Sequence, residues 1–193
     1  MGFVVDETSA LIIVDVQRDF CTGGALPVPD GDTVVPVLNR YVQKFVKASA
    51  PIYATRDWHP QNHVSFTSQG GSWPQHCVQN TDGAEFHPGL ALPERVKIIS
   101  KAREPNCEAY SGFEGTDLAE DLRKQGIRHV FIGGLATDYC VKNTVLDALG
   151  LGFDVILLED AIRGVEVTAG DSDKAVRDMV EKGAKKATFN QIG

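Results

Sequence analysis

Short apolar runs punctuated by helical patterns are the feature that most restricts the fold of this chain. Ala10–Val14 reads ALIIV, a continuous apolar run suited to a strand buried on both faces. Similar runs stand at Ile52–Thr55, Val96–Ile99, Val130–Ile132 and Val155–Leu158, and Ala187–Phe189 makes a short last candidate. Between them lie helical patterns. From Asp32 to Ala48 the apolar residues Val35, Leu38, Val42, Phe45 and Val46 recur at helical spacing, with Asp32 as a candidate cap. Leu118 and Leu122 before Gly126 give a second helix, Thr137–Leu149 a third and Asp171–Glu181 a fourth. This alternation predicts an α/β fold: an open, mostly parallel sheet with helices on both faces.

Two stretches break the rhythm: Cys21–Asp30, rich in Gly and Pro, and Pro60–Pro93, rich in Gly, Pro, Asn and Gln. A loop of the second length inside a compact domain is usually functional. No internal repeat or linker interrupts the 193 residues, so one domain is expected over 1–193. A net charge of −7 with no Lys/Arg cluster argues against a nucleic-acid partner. No apolar run approaches the roughly 20 residues that span a bilayer, so no membrane partner is expected. The N-terminus lacks a secretion signal, Asp6 spoils a myristoylation motif, and four irregularly spaced cysteines form neither a disulfide framework nor a CxxC site. A cytoplasmic location is the expectation.

In a parallel sheet the carboxyl ends of the strands share one edge, where open α/β proteins bind ligands. Asp15 follows the first predicted strand, Asp57 the second, Lys101 the third, and the turn Gly133–Cys140 the fourth. Thr137 or Asp138 can cap the helix that follows, which places Cys140 in its first turn. There the helix dipole favours thiolate, and free amides can hold an oxyanion. A lone helical cysteine is more often a buried structural residue; an acid and a lysine on the same edge set Cys140 apart. Cys21, Cys77 and Cys107 lack that setting and are read as structural. Asp15 needs a partner at the end of an apolar strand, and Lys101 is the natural one. Asp19 is expected to brace the loop. Asp57, His59, His63 and His76 put one carboxylate and three imidazoles in one region, a donor set suited to Zn²⁺, Fe²⁺ or Mn²⁺. His87 and His129 are assigned no role.

The segments ALIIVDVQRDF (Ala10–Phe20), ATRDWHPQNH (Ala54–His63), WPQHC (Trp73–Cys77), YSGFE (Tyr110–Glu114) and GGLATDYC (Gly133–Cys140) together resemble the nicotinamidase branch of the isochorismatase-like cysteine hydrolase superfamily. The resemblance runs over nearly the whole chain. It implies a Rossmann-like three-layer sandwich and hydrolysis of nicotinamide, with pyrazinamide fitting the same site. It implies Cys140 as nucleophile, Asp15 as general base and Lys101 as the charge-balancing partner. The metal ligands would be Asp57, His59, His63 and His76 around one divalent ion, Zn²⁺ first, with His63 at a spacing shorter than some relatives show. Phe20 and Trp73 would sandwich the ring, and Tyr110, Leu135 and Ala136 would complete the substrate-binding set. A cis peptide would join Leu135 to Ala136, and the amides of Ala136 and Cys140 would form the oxyanion hole. Isochorismatases lack the nucleophilic cysteine and carbamoylsarcosine-type amidases lack the metal histidines, whereas this chain has both sets. An amidase for another small amide and a non-enzymatic metal-binding protein are the competing readings. The partner expected is a small molecule, and a homo-oligomer stays open.

Overall fold

The computed structural model describes residues 2–193. Six strands form one open sheet: β1 Ser9–Val14, β2 Ile52–Asp57, β3 Lys97–Lys101, β4 His129–Leu135, β5 Asp154–Arg163 and β6 Lys185–Ala187. Their spatial order is β3-β2-β1-β4-β5-β6, and all five neighbouring pairs run parallel. The helices are α1 Val34–Lys47, α2 Leu118–Lys124, α3 Lys142–Gly150 and α4 Asp171–Glu181. The order reverses between β1 and β4, and the crevice at their carboxyl ends is where a doubly wound sheet receives a ligand.

Strand β1 shows why both faces carry helices. Leu11 and Ile13 point into a core with Leu38, Tyr41 and Phe45 of α1. Ala10, Ile12 and Val14 point into a second core with Leu122 of α2, Val145 of α3 and Met179 of α4. Period-two alternation thus distributes an all-apolar strand between two layers. At the edge of β4 the backbone needs a glycine. Gly134 has φ +127°, and a Cβ there would lie 2.1 Å from the Val14 carbonyl oxygen. The close approach of β4 to β1 at the crevice depends on that missing atom.

Several element ends differ from the expectation. β3 spans Lys97–Lys101 rather than Val96–Ile99, because an edge strand tolerates the lysines and leaves Ile98 exposed. β5 runs past Leu158 to Arg163 through a register irregularity against β4, which the apolar pattern does not reveal. β6 ends at Ala187, since Thr188 and Gln191 form a capping box that starts a 3₁₀ turn. Asp32 does not cap α1. Its carboxylate accepts from the Thr22 amide at 2.9 Å and lies 3.3 Å from His87, tying two loops together. Asp19 braces its loop as expected, accepting from the amides of Ala25 and Cys77. His129 meets Asp154 at 3.3 Å at the far end of the sheet. Cys21 and Cys77 are buried, whereas Cys107 is exposed and supports no core. No described helix is long and apolar enough to cross a membrane.

Candidate active site

The crevice gathers side chains from four strand ends. Asp15, just past β1, is fully buried and holds a left-handed backbone (φ +48°). The Thr55 hydroxyl donates to its Oδ1 at 2.6 Å. Its Oδ2 lies 3.0 Å from Lys101 Nζ yet has no aligned hydrogen-bond donor. Lys101, the last residue of β3, is 1 % exposed. Its ammonium reaches Asp15, bonds closely to Asp57 Oδ1, donates to the Ala109 carbonyl at 3.1 Å and sits 3.4 Å from Cys140 Sγ. One buried cation therefore serves two carboxylates and a thiol.

Burial opposes the charge on each of these groups, and the neighbours decide the outcome. For Lys101, the two carboxylates and the thiol outweigh desolvation and hold its pKa well above the ordinary lysine value. For Asp57, burial is outweighed by Lys101 and the nearby histidines, so its pKa is lowered. For Asp15, burial wins over Lys101, with Asp57 adding repulsion, and its pKa is raised. Two acids sharing one ammonium are thus pushed in opposite directions. Cys140 departs from the expectation of a ready thiolate. Burial and the two carboxylates push its thiol up more strongly than Lys101 lowers it. A carboxylate oxygen of Asp15, one of Asp57 and the Cys140 sulfur all lie within 4.8 Å of one another.

Cys140 sits in a single π-helical turn, Thr137–Val141, that leads into α3. Neither Thr137 nor Asp138 caps it, and the Ala136 carbonyl accepts from the amides of Tyr139 and Val141 instead. The peptide between Leu135 and Ala136 is cis. Leu135 does not line the cavity in front of the thiol. Its side chain is fully buried in the core beneath α1, because it is the last residue of β4 and points to that face.

That cavity is lined by Phe20, Trp73, Tyr110, Ala136 and Cys140 as expected, and by Asp57, His59 and His76 on another side. Trp73 donates its indole N–H to the Tyr110 hydroxyl at 3.0 Å and packs edge-on to Tyr139 at 5.1 Å. Phe20 tilts against His76 at 5.5 Å. Leu26, Val28, Glu108, Ala109, Tyr139 and Val165 complete the lining and were not anticipated. Tyr139 could have been suspected from its place beside Cys140, and Leu26 and Val28 from the irregular stretch Cys21–Asp30, but no residue pattern there marks them individually. Gln17 was also missed, although it stands inside a quoted motif. It is fully buried and clasps Asp57, donating to its carbonyl and accepting from its amide, each at 2.8 Å.

The donor set fits a divalent cation. Ligand atoms of Asp57, His59 and His76 all lie within 4.8 Å of one another, and all three residues are buried. His59 Nδ1 faces the His76 carbonyl at 3.2 Å and His76 Nδ1 faces the Pro74 carbonyl at 2.8 Å. Those partners fix the Nδ1–H tautomer and leave each Nε2 as a ligand atom. Burial lowers the pKa of His59 to about 4, which keeps it neutral and able to ligate. His63 stacks on His59 with ring centroids 4.3 Å apart but stands outside that trio. Its Nδ1 meets Ser65 at 2.7 Å and its Nε2 the Cys107 carbonyl at 3.0 Å, and it clusters with His59 and Glu108.

Residues 9–191 match the model of the isochorismatase domain. The chain belongs to the isochorismatase family. It is similar to the nicotinamidase of Escherichia coli (strain K12), 42% identical over 196 residues that cover 91% of this chain and 92% of that one. Among solved structures it is similar to the pyrazinamidase of Pyrococcus horikoshii in complex with zinc. That likeness has a TM-score of 0.91 at 56% identity, covering 94% of this chain and 99% of the other. PnC1 from L. infantum in complex with nicotinate superposes with a TM-score of 0.92 at 34% identity, covering 100% of this chain and 99% of that one. The isochorismatase fold and the hydrolase class of these relatives agree with a sheet whose switch point carries a thiol, an acid and a lysine.

Proposed function

We propose that this isochorismatase-family chain is an amidohydrolase that converts nicotinamide to nicotinate and ammonia through a thioester on Cys140, in salvage of pyridine nucleotides. The observation that carries the reading is a buried thiol 3.4 Å from a buried ammonium, clustered with the buried Asp15 carboxylate and opening on an aromatic-walled cavity. Asp15 takes the thiol proton as Cys140 attacks the carboxamide carbon. The amides of Ala136 and Cys140 receive the oxyanion, which collapses as protonated Asp15 delivers its proton to the departing ammonia. Water then attacks the thioester, with Asp15 again as base and the thiol as leaving group. Lys101 balances the negative charge that passes between Asp15 and Cys140.

Phe20 and Trp73 hold the ring between them, and Tyr110 steadies Trp73 through its hydroxyl. Asp57, His59 and His76 would hold one divalent ion, Zn²⁺ before Fe²⁺ or Mn²⁺, with His63 joining by giving up the Cys107 carbonyl. Bound there, the ion supplies a Lewis-acidic contact for the ring nitrogen of the substrate. Pyrazinamide, a ring of similar size, is a second substrate on this reading. The chain then works as one domain on a small molecule in the cytoplasm, as a monomer or homo-oligomer.

The test is ammonia release from nicotinamide against benzamide, which lacks the ring nitrogen. The metal-loaded protein should turn over nicotinamide and leave benzamide nearly untouched. Equal rates on both would remove the ring-nitrogen contact, and no release from either would remove the amidohydrolase reading.

A further inference from the structure

Two residues before the nucleophile, Asp138 does something its expected capping role would not require. Its Oδ1 accepts the Val165 amide and its Oδ2 the Glu166 amide, each at 2.9 Å. Both carboxylate oxygens are thus spent on consecutive amides of the segment that leaves β5. Glu166 is held at φ +56°, a conformation that a non-glycine residue keeps only when its surroundings enforce it. Its own carboxylate accepts the amides of Gly170 at 2.8 Å and Ser172 at 2.7 Å, at the start of α4. The segment is pinned at both ends, and between the pins Val165 lines the cavity in front of Cys140. Gly164 closes the clasp from the other side. A Cβ there would lie 1.8 Å from Ser172 Oγ and 3.2 Å from Asp138 Oδ1.

We propose that Asp138 is a positioning residue for the substrate: through the Val165–Glu166 backbone it sets where the Val165 wall stands, and so the size of amide the cavity accepts. This deepens the amidohydrolase reading and rests on it. One turn carries both the nucleophile and the clamp, so the spacing between reacting thiol and wall is set by a single rigid unit. An ångström of slack in that spacing costs binding and orientation. Val165 itself makes the contact, and Asp138 acts only through it.

The test uses the metal-loaded, full-length protein. Asp138→Asn leaves one acceptor oxygen and turns an amide N–H₂ toward a backbone N–H. It should raise KM for nicotinamide about five-fold while kcat stays within about two-fold. It should also raise the relative kcat/KM for a ring-methylated nicotinamide about three-fold, the direction expected of Val165→Ala. Gly164→Ala, which keeps Asp138 but places a Cβ against Ser172 and the Asp138 carboxylate and so disturbs the clasp, should move both quantities the same way and covers the case in which Asp138→Asn does not fold. Unchanged KM and selectivity in a folded Asp138→Asn or Gly164→Ala protein would overturn the proposal, as would a loss confined to kcat. Alkylation of Cys140 by iodoacetamide and by its bulkier N-phenyl analogue reads the wall without turnover. The rate ratio should shift toward the bulky reagent in these variants even if wild type proved inactive on nicotinamide, and an unshifted ratio would also overturn the proposal.

Discussion

The thiol side and the histidine side of the cavity are built by opposite means. Asp15, Lys101 and Cys140 come from segments spread over most of the chain and meet only because β1, β3 and β4 end on one edge. Asp57, His59 and His76 are near neighbours in sequence, and loop turns bring them together. The first set is fixed by sheet register; in the second, Asp57 ends β2 while backbone hydrogen bonds orient His59 and His76 beside it. The two meet at one ion pair, between Lys101 and Asp57. On the proposed function a division of labour follows: chemistry rests on the sheet, selection of the ring on the loop, and a single lysine links them.

The sharpest way to break this comparison is to remove the proposed nucleophile. Cys140→Ala should lower kcat/KM for nicotinamide by about 10⁴-fold or more, with metal stoichiometry retained. Mass spectrometry of wild type caught with an aldehyde analogue of the substrate should place the adduct on Cys140. An active Cys140→Ala protein, or an adduct on Cys21, Cys77 or Cys107, would move the chemistry elsewhere.

Lys101→Met tests the link itself, with an expected loss in kcat of about 10²–10³-fold. The cation lowers the pKa of both Asp15 and Cys140, against burial that raises them. Removing it must therefore raise both, because the charged forms lose their nearest opposite charge. The pH profile of iodoacetamide reaction at Cys140 should shift toward higher pH in the variant. A profile that stays in place would show that Lys101 serves Asp57 and the fold rather than the thiol.

A smaller effect is expected on the histidine side. His59→Ala should lower bound metal and raise KM by about 10–100-fold, while the rate of Cys140 alkylation changes far less. The measurements are metal analysis, KM and alkylation kinetics on one preparation. Equal losses in KM and alkylation would mean that the Lys101–Asp57 contact transmits the state of the histidine side fully to the thiol, and the two halves would then be one unit.

The unequal construction also explains what could be read in advance. Strands β1 and β2 were legible because unbroken apolar runs admit few burial schemes. Asp57, His59 and His76 were legible because ligands close in sequence need no fold to become neighbours. Asp15, Lys101 and Cys140 were legible once strand ends could be placed on one edge. Leu135 was misassigned because only the direction of its side chain from β4 sends it into the core beneath α1. Tyr110 and Trp73 could be placed in the cavity, but their mutual hydrogen bond could not. The ends of β5 and β6 depended on register and capping that the apolar pattern does not carry.

By itself the sequence determined a parallel α/β sheet, the reactive residue types and the edge they occupy. These follow from hydrophobic periodicity and chain order, which act along the backbone. Tertiary structure alone decided that Lys101 divides itself between two carboxylates, that burial pushes the Cys140 thiol pKa up, and that Asp138 holds the Val165 wall. It also decided that His63 gives its ring nitrogens to Ser65 and Cys107. Each of these is a contest between desolvation and a partner a few ångströms away, and both are set only when distant segments pack.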